Sequence, residues 1–141
     1  MLSSYYFEDL EPGMEARLVK TITEADVIGF ATVTGDCNPI HLDPVYAAAT
    51  PFKSRVAHGM LTGGLLSAVF GTTMPGPGAI YVSQTMNFRA PVMLGDTVTA
   101  VVRVVELFGP KRRVRFDCEC RVGDKTVLSG EAMLIVPGRP A

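Results

Sequence analysis

The sequence predicts an α+β domain in which one long, deeply placed helix is covered by an antiparallel sheet. Three observations carry that reading. From His58 to Met74 the chain holds no acid and no base after His58, and every residue is apolar, small or a hydroxyl-bearing Ser or Thr; a helix without a polar face belongs inside a protein. The second half alternates apolar and polar residues with period two, the mark of strands wetted on one side. The turns between those strands are short Gly-Asp steps, which leave no room for parallel crossovers. A helix packed on an antiparallel sheet is an α+β arrangement, and no linker, repeat or low-complexity segment divides residues 1–141 into more than one domain.

Met14, Ala16, Leu18 and Ile22 alternate with polar neighbours, Lys20 breaking the series, and predict a first strand. Thr23 then reads as an N-cap, with Asp26 in the capping-box position. Val27, Ile28, Phe30, Ala31 and Val33 recur at helical spacing, and Gly35 is the natural stop. Asn38-Pro39 starts a bend, and Asp43-Pro44 starts a short helix over Val45 to Ala49 that Pro51 ends. Gly59, Gly63, Gly64 and Gly71 in the long helix each cost about 1 kcal/mol against alanine, so they are expected to admit a close neighbour. Strands are predicted over Ile80 to Arg89, Val98 to Val104, Arg113 to Val122 and Thr126 to Val136.

Composition excludes several functions. Thirteen Lys and Arg against 14 acids give a net charge of −1, without the basic field that nucleic-acid binding needs. The longest apolar stretch, around Met60 to Phe70, is shorter than the roughly 18 residues of a membrane span, so no membrane association is expected. The amino-terminal residues show no basic and apolar secretory pattern. Cys37, Cys118 and Cys120 are an odd number, and Cys118 and Cys120 fall on one face of a strand as packing residues. Reduced thiols in the cytoplasm are the expectation. Charged residues are 19% and hydrophobic residues 48% of the chain, so a subunit interface is the simplest place for the apolar surplus.

The chain has two histidines, and both lie in segments with further polar groups. Asp36 and His41 are five residues apart, about 140° around a helix, but the turn between them can bring both to one water molecule. Asp36 then holds or accepts a proton while His41 fixes or polarises the water. The plainer alternative has Asp36 and Asn38 making Asx-turn bonds and His41 anchoring the loop. A cation held by Asp36, Cys37, His41 and His58 is disfavoured, because these residues lack a zinc spacing. In Arg55-Val-Ala-His-Gly-Met-Leu61, Gly59 begins the long helix, where free backbone N–H groups can polarise a carbonyl; alternatively His58 caps and Gly59 packs. Ser67 bonds a ligand or bonds back into its own helix. Arg89 reaches phosphates or is a solvated strand-end arginine. His58 and Asn38 join Ser67 and Arg89 as candidate substrate contacts.

These residues in this order resemble the MaoC-like hydratases, most closely the single-domain (R)-specific enoyl-CoA hydratases. The carrying segments are Gly35-Asp-Cys-Asn-Pro-Ile-His-Leu-Asp-Pro44, Val56-Ala-His-Gly-Met60 and Phe88-Arg-Ala-Pro-Val92 with Gly95-Asp96. The resemblance implies a hot-dog fold and catalytic roles for Asp36 and His41. It implies a thioester-binding N–H at Gly59 and an active-site serine at Ser67. The implied reaction is syn addition of water across a trans-2-enoyl-CoA, with no metal or redox cofactor, coenzyme A being part of the substrate. Pairing into a homodimer, or a dimer of dimers, is also implied. The alternatives are a 3-hydroxyacyl-carrier-protein dehydratase, a hydratase of branched or dicarboxylic enoyl-CoA, a hot-dog thioesterase and a non-catalytic acyl-CoA binding module. The thioesterase is disfavoured by the missing carboxylate in His58 to Met74.

Overall fold

A computed structural model describes residues 2–141. Strand β1 (Glu15–Thr21) leads into α1 (Glu24–Thr34), two short helices α2 (Pro39–Leu42) and α3 (Pro44–Ala48), and the long α4 (Gly59–Thr72). Five strands follow: β2 (Ile80–Gln84), β3 (Asn87–Phe88), β4 (Thr97–Phe108), β5 (Arg113–Val122) and β6 (Lys125–Ile135). They form one antiparallel sheet in the order β1-β4-β5-β6-β2, with β3 pairing β6 beside β2. Helix α4 lies across β4, β1 and β5. This is the helix-on-sheet arrangement that the alternation and the apolar helix predicted.

The local signals place their elements closely. Thr23 accepts the Asp26 N–H at 3.1 Å, and Asp26 Oδ2 accepts the Thr23 N–H at 2.8 Å, so the capping box forms. Lys20 adds an ion pair to Asp26 at 2.8 Å, and its hydrogen bond, with those from Thr23, holds the Asp26 carboxyl down at about 2. Gly35 closes α1 at φ 80°, a left-handed conformation that glycine adopts without a Cβ penalty. Asp43 Oδ1 accepts the Val45 N–H at 2.9 Å and the Tyr46 N–H at 3.2 Å, starting α3. Cys118 and Cys120 are buried on one face of β5 as expected, and burial pushes both thiols up to about 12.

Three expectations need correction. The bend at Asn38-Pro39 continues into α2, because Asn38 Oδ1 caps it through the Ile40 N–H at 3.1 Å and Pro39 sits at its first turn, where a missing N–H costs nothing. The strand read over Ile80 to Arg89 is two strands with a register shift between Tyr81 and Ser83. Its apolar residues do not alternate in burial, since Ile80, Tyr81 and Val82 are all exposed at the sheet edge. Helix α4 is not surrounded within one chain. Thr62, Gly63, Leu66, Val69 and Phe70 face the sheet, while Gly64, Ser67 and Gly71 are exposed and Met60 is 55% exposed. Of its glycines, two admit a close neighbour. A Cβ on Gly59 would meet the Phe88 ring at 2.7 Å and one on Gly63 would meet Met86 Sδ at 2.5 Å, but Gly64 and Gly71 face open space.

Candidate active site

Asp36, His41, His58 and Gly59 line one cavity of about 540 Å³ at the amino-terminal end of α4. Its entrance and walls include Phe52, Phe88 and Arg89, and Val127 and Leu128 of β6. Asp36 sits in the loop after Gly35, with its N–H donating to Thr34 Oγ1 at 3.2 Å and its Oδ1 accepting the Asn38 N–H at 3.4 Å. Among the described residues lining the cavity it is the one carboxylate. His41, on α2, is 9% exposed. Its Nδ1–H donates to Val56 O at 2.7 Å, which leaves Nε2 as a lone pair able to take a proton. Arg55 fixes the same residue from behind: its Nε–H donates to His41 O at 2.7 Å while its guanidinium pairs with Glu24 of α1 at 2.6 Å.

His58 connects these parts. It is 1% exposed and is the N-cap residue of α4, immediately before Gly59. Its Nε2–H donates to the Asp36 backbone carbonyl at 2.9 Å. Its ring stacks on His41 with centroids 3.8 Å apart and meets the Phe30 ring at a tilt of 50°, 4.7 Å away. One buried side chain thus ties the Asp36 loop, the His41 ring and the start of α4 together. The sequence pointed to His58 as a substrate contact; the geometry makes it a strut between the two polar groups. Asx-turn bonding of Asp36 and Asn38, the plainer reading of the loop, is also present.

The remaining candidates separate. Arg89 lines the cavity, its Nε–H donating to Ser129 Oγ at 2.6 Å. Asn38 is spent on capping α2 and does not line the cavity. Ser67 opens instead into a second cavity of about 370 Å³, between the exposed face of α4 and β2, so a single chain does not bring it to Asp36 and His41. Phe88, from the segment Phe88 to Val92, covers Gly59, and Thr62, one turn into α4 and 3% exposed, lines the cavity without a sequence signal of its own. Ligand atoms of Asp36, His41 and His58 lie within 4.8 Å of one another, while Cys37 is exposed and outside the group.

Chemically, an acid and an imidazole with a free Nε2 face a helix start whose N–H groups lack intrahelical partners. That combination can hold a water between two proton acceptors and polarise a carbonyl oxygen next to it.

The fold and the motifs recur in known proteins. A family model described as MaoC like domain matches residues 8–129. A relative from Methylorubrum extorquens, named 3-hydroxybutyryl-CoA dehydratase, is 58% identical over 132 residues, covering 94% of this chain and 84% of its own. One from Rhodospirillum rubrum, named (R)-specific enoyl-CoA hydratase, is 52% identical over 135 residues, covering 96% and 94%. Among solved structures, the unliganded R-hydratase PhaJ1 of Pseudomonas aeruginosa superposes with a TM-score of 0.91 at 45% identity, covering 95% of this chain and 86% of that one. With a matched segment that spans most of the sequence, and relatives of more than half identity over nearly all of it, this chain belongs to the MaoC-like domain family.

Proposed function

We propose that the protein is an (R)-specific enoyl-CoA hydratase: it adds water syn across a trans-2-enoyl-CoA, reversibly, to give the (R)-3-hydroxyacyl-CoA. The observation that carries this reading is the pairing of Asp36 and His41 in one cavity with the start of α4. The names of the relatives at 58% and 52% identity agree with it and favour coenzyme A as the carrier. The thioester oxygen accepts the Gly59 N–H, where enolate charge is stabilised as it develops. Water lies between the Asp36 carboxylate and His41 Nε2; its oxygen bonds C3, the pair takes one of its protons, and one proton returns to C2 from the same side. Arg89 at the cavity entrance supplies a cation for the phosphates of the carrier.

The reaction as drawn uses no metal. Each histidine gives one nitrogen to a backbone carbonyl. The exposed β2 edge, with the open face of α4, supports pairing with a second copy, where Ile80, Val82 and Met60 would be covered. Such pairing would also close the cavity that holds Ser67. Among the described residues no helix is long and apolar enough to cross a membrane.

The test is direct. Purified protein with crotonyl-CoA loses the absorbance of the conjugated thioester without releasing free thiol. Thiol release would make it a thioesterase instead, and no change with enoyl-CoA of any length would refute a hydratase.

A further inference from the structure

Coenzyme A is the most highly charged part of the substrate, with a diphosphate and a 3′-phosphate. Yet among the described residues lining the cavity Arg89 is the one Lys or Arg, and its Nε–H is committed to Ser129. The densest run of cations lies elsewhere, in the turn between β4 and β5. Lys111, Arg112 and Arg113 are consecutive, and among the described residues none of them enters an ion pair, whereas nearby Arg115 and Arg139 hold Glu106, Glu131 and Asp9. Like charges this close repel one another, and the fold holds them there. Arg112 is left-handed at φ 49°, an uncommon state for a residue with a Cβ. Its carbonyl accepts the Val136 N–H at 2.9 Å, and its guanidinium lies so close to Gly138 that a Cβ there would meet Arg112 Cζ at 2.7 Å.

The sheet register locates this turn. Arg113, Ile135 and Ile80 are successive partners across β5, β6 and β2, so the turn sits at the amino-terminal end of β2. Its own cavity is far from it: Val127 and Leu128 line that cavity at the other end of β6, and Val127 is eight residues, about 26 Å, from Ile135. Strand β2 ends the sheet, its outer edge has no partner among the described residues, and Ile80, Tyr81 and Val82 are exposed along it. A twofold axis that continues the sheet across this edge runs the two β2 strands antiparallel. The amino-terminal end of β2 in one copy then meets the carboxy-terminal end in the other, from which the partner's chain goes on to Phe88 and Arg89 at the rim of its cavity. Three strand spacings, about 14 Å, separate Arg113 from the partner's β2. We propose that Lys111, Arg112 and Arg113 of one protomer bind the phosphates of the coenzyme A held in the partner's cavity, so that each active site is completed by the second copy. Guanidinium and ammonium groups suit phosphate oxygens. This rests on the hydratase reading.

The experiment is the triple variant Lys111→Gln, Arg112→Gln and Arg113→Gln, assayed with crotonyl-CoA and with crotonyl-pantetheine, which carries the same thioester without the phosphates. KM for crotonyl-CoA is expected to rise about tenfold with kcat held, and the kinetics with crotonyl-pantetheine to match wild type. Purified mixed dimers then decide which copy supplies the turn. A triple-variant protomer, its cavity intact, is paired with an Asp36→Asn protomer whose turn is intact. It should regain the wild-type KM, because its cavity is served by the partner. A KM that stays raised in the mixed dimer would overturn the assignment. So would an unchanged KM in the triple variant, an equal rise for both substrates, or a monomer in solution. Binding of free coenzyme A, read by calorimetry, should weaken about tenfold in the triple variant. If that loss is seen while wild type does not hydrate crotonyl-CoA, the hydratase reading fails and the phosphate site stands.

Discussion

The role of His58 as a strut makes a prediction that separates positioning from bulk stability. His58→Phe keeps a ring of similar size between Phe30 and His41, so the stack on His41 at 3.8 Å and the tilted contact with Phe30 at 4.7 Å can persist, but it cannot donate to the Asp36 carbonyl. The lost neutral hydrogen bond is worth about 0.5–1.5 kcal/mol of stability. Asp36 is exposed, so its carbonyl can turn to water and the cost stays at the low end of that range. His58→Ala adds a cavity in place of a fully buried ring, a further cost of about 3 kcal/mol by analogy with aromatic truncations. Activity follows a different scale. A displacement of about 1 Å in a reacting group costs on the order of a hundredfold in rate, and without this bond the Asp36 backbone is tied only by its own loop. His58→Phe should therefore lose about a hundredfold in kcat for crotonyl-CoA hydration while urea unfolding shows only about 0.5 kcal/mol of destabilisation. KM should stay near wild type, because the cavity entrance is intact. A kcat within twofold of wild type would show that the Asp36 loop holds itself and that His58 serves packing alone.

Further perturbations address the other parts. His41→Ala should cost several orders of magnitude in turnover, measured by stopped or continuous absorbance assay; a change confined to Tm would make this histidine an anchor for Val56. Asp26, held down at about 2 by Lys20 and Thr23 from an ordinary 3.8, contributes stability that is fully present above about pH 4 and is lost as pH falls from there toward 2. The difference in urea midpoint between wild type and Asp26→Asn should accordingly be constant from pH 7 to about 5 and shrink below pH 4; a gap that persists at pH 2.5 would contradict the pairing. Dialysis against a strong chelator should leave hydration unchanged, and a loss restored by a divalent cation would reassign Asp36, His41 and His58 as ligands.

Much of this was legible in the residues. The capping box of Thr23 and Asp26, the stop at Gly35 and the Gly-Asp turns are local chemistry, and local chemistry is written in a few adjacent positions. The proximity of Asp36 and His41 followed from reading a turn between them, and the motif around them identified the family. Contacts between distant segments were not legible. Nothing in the spacing says that His58 crosses 22 residues to hold the Asp36 carbonyl, that Arg55 backs His41, or that Thr62 leaves its hydroxyl buried without a partner. Period-two reading failed at Ile80 to Val82, where a register shift between Tyr81 and Ser83 interrupts the pleat and all three residues are exposed. Ser67 shows the converse limit: the family resemblance placed it in the active site, but a single chain puts it in a neighbouring cavity.

The most direct test of the central claim compares wild type with Asp36→Asn. Wild type should convert crotonyl-CoA to a product that a dehydrogenase specific for (R)-3-hydroxyacyl-CoA oxidises, with no thiol released. Asp36→Asn should unfold at the wild-type temperature and bind crotonyl-CoA by calorimetry, yet show no hydration above background. Activity near wild type in Asp36→Asn, or a product that the (R)-specific dehydrogenase rejects, would contradict the assignment of Asp36 and His41 as the water-activating pair.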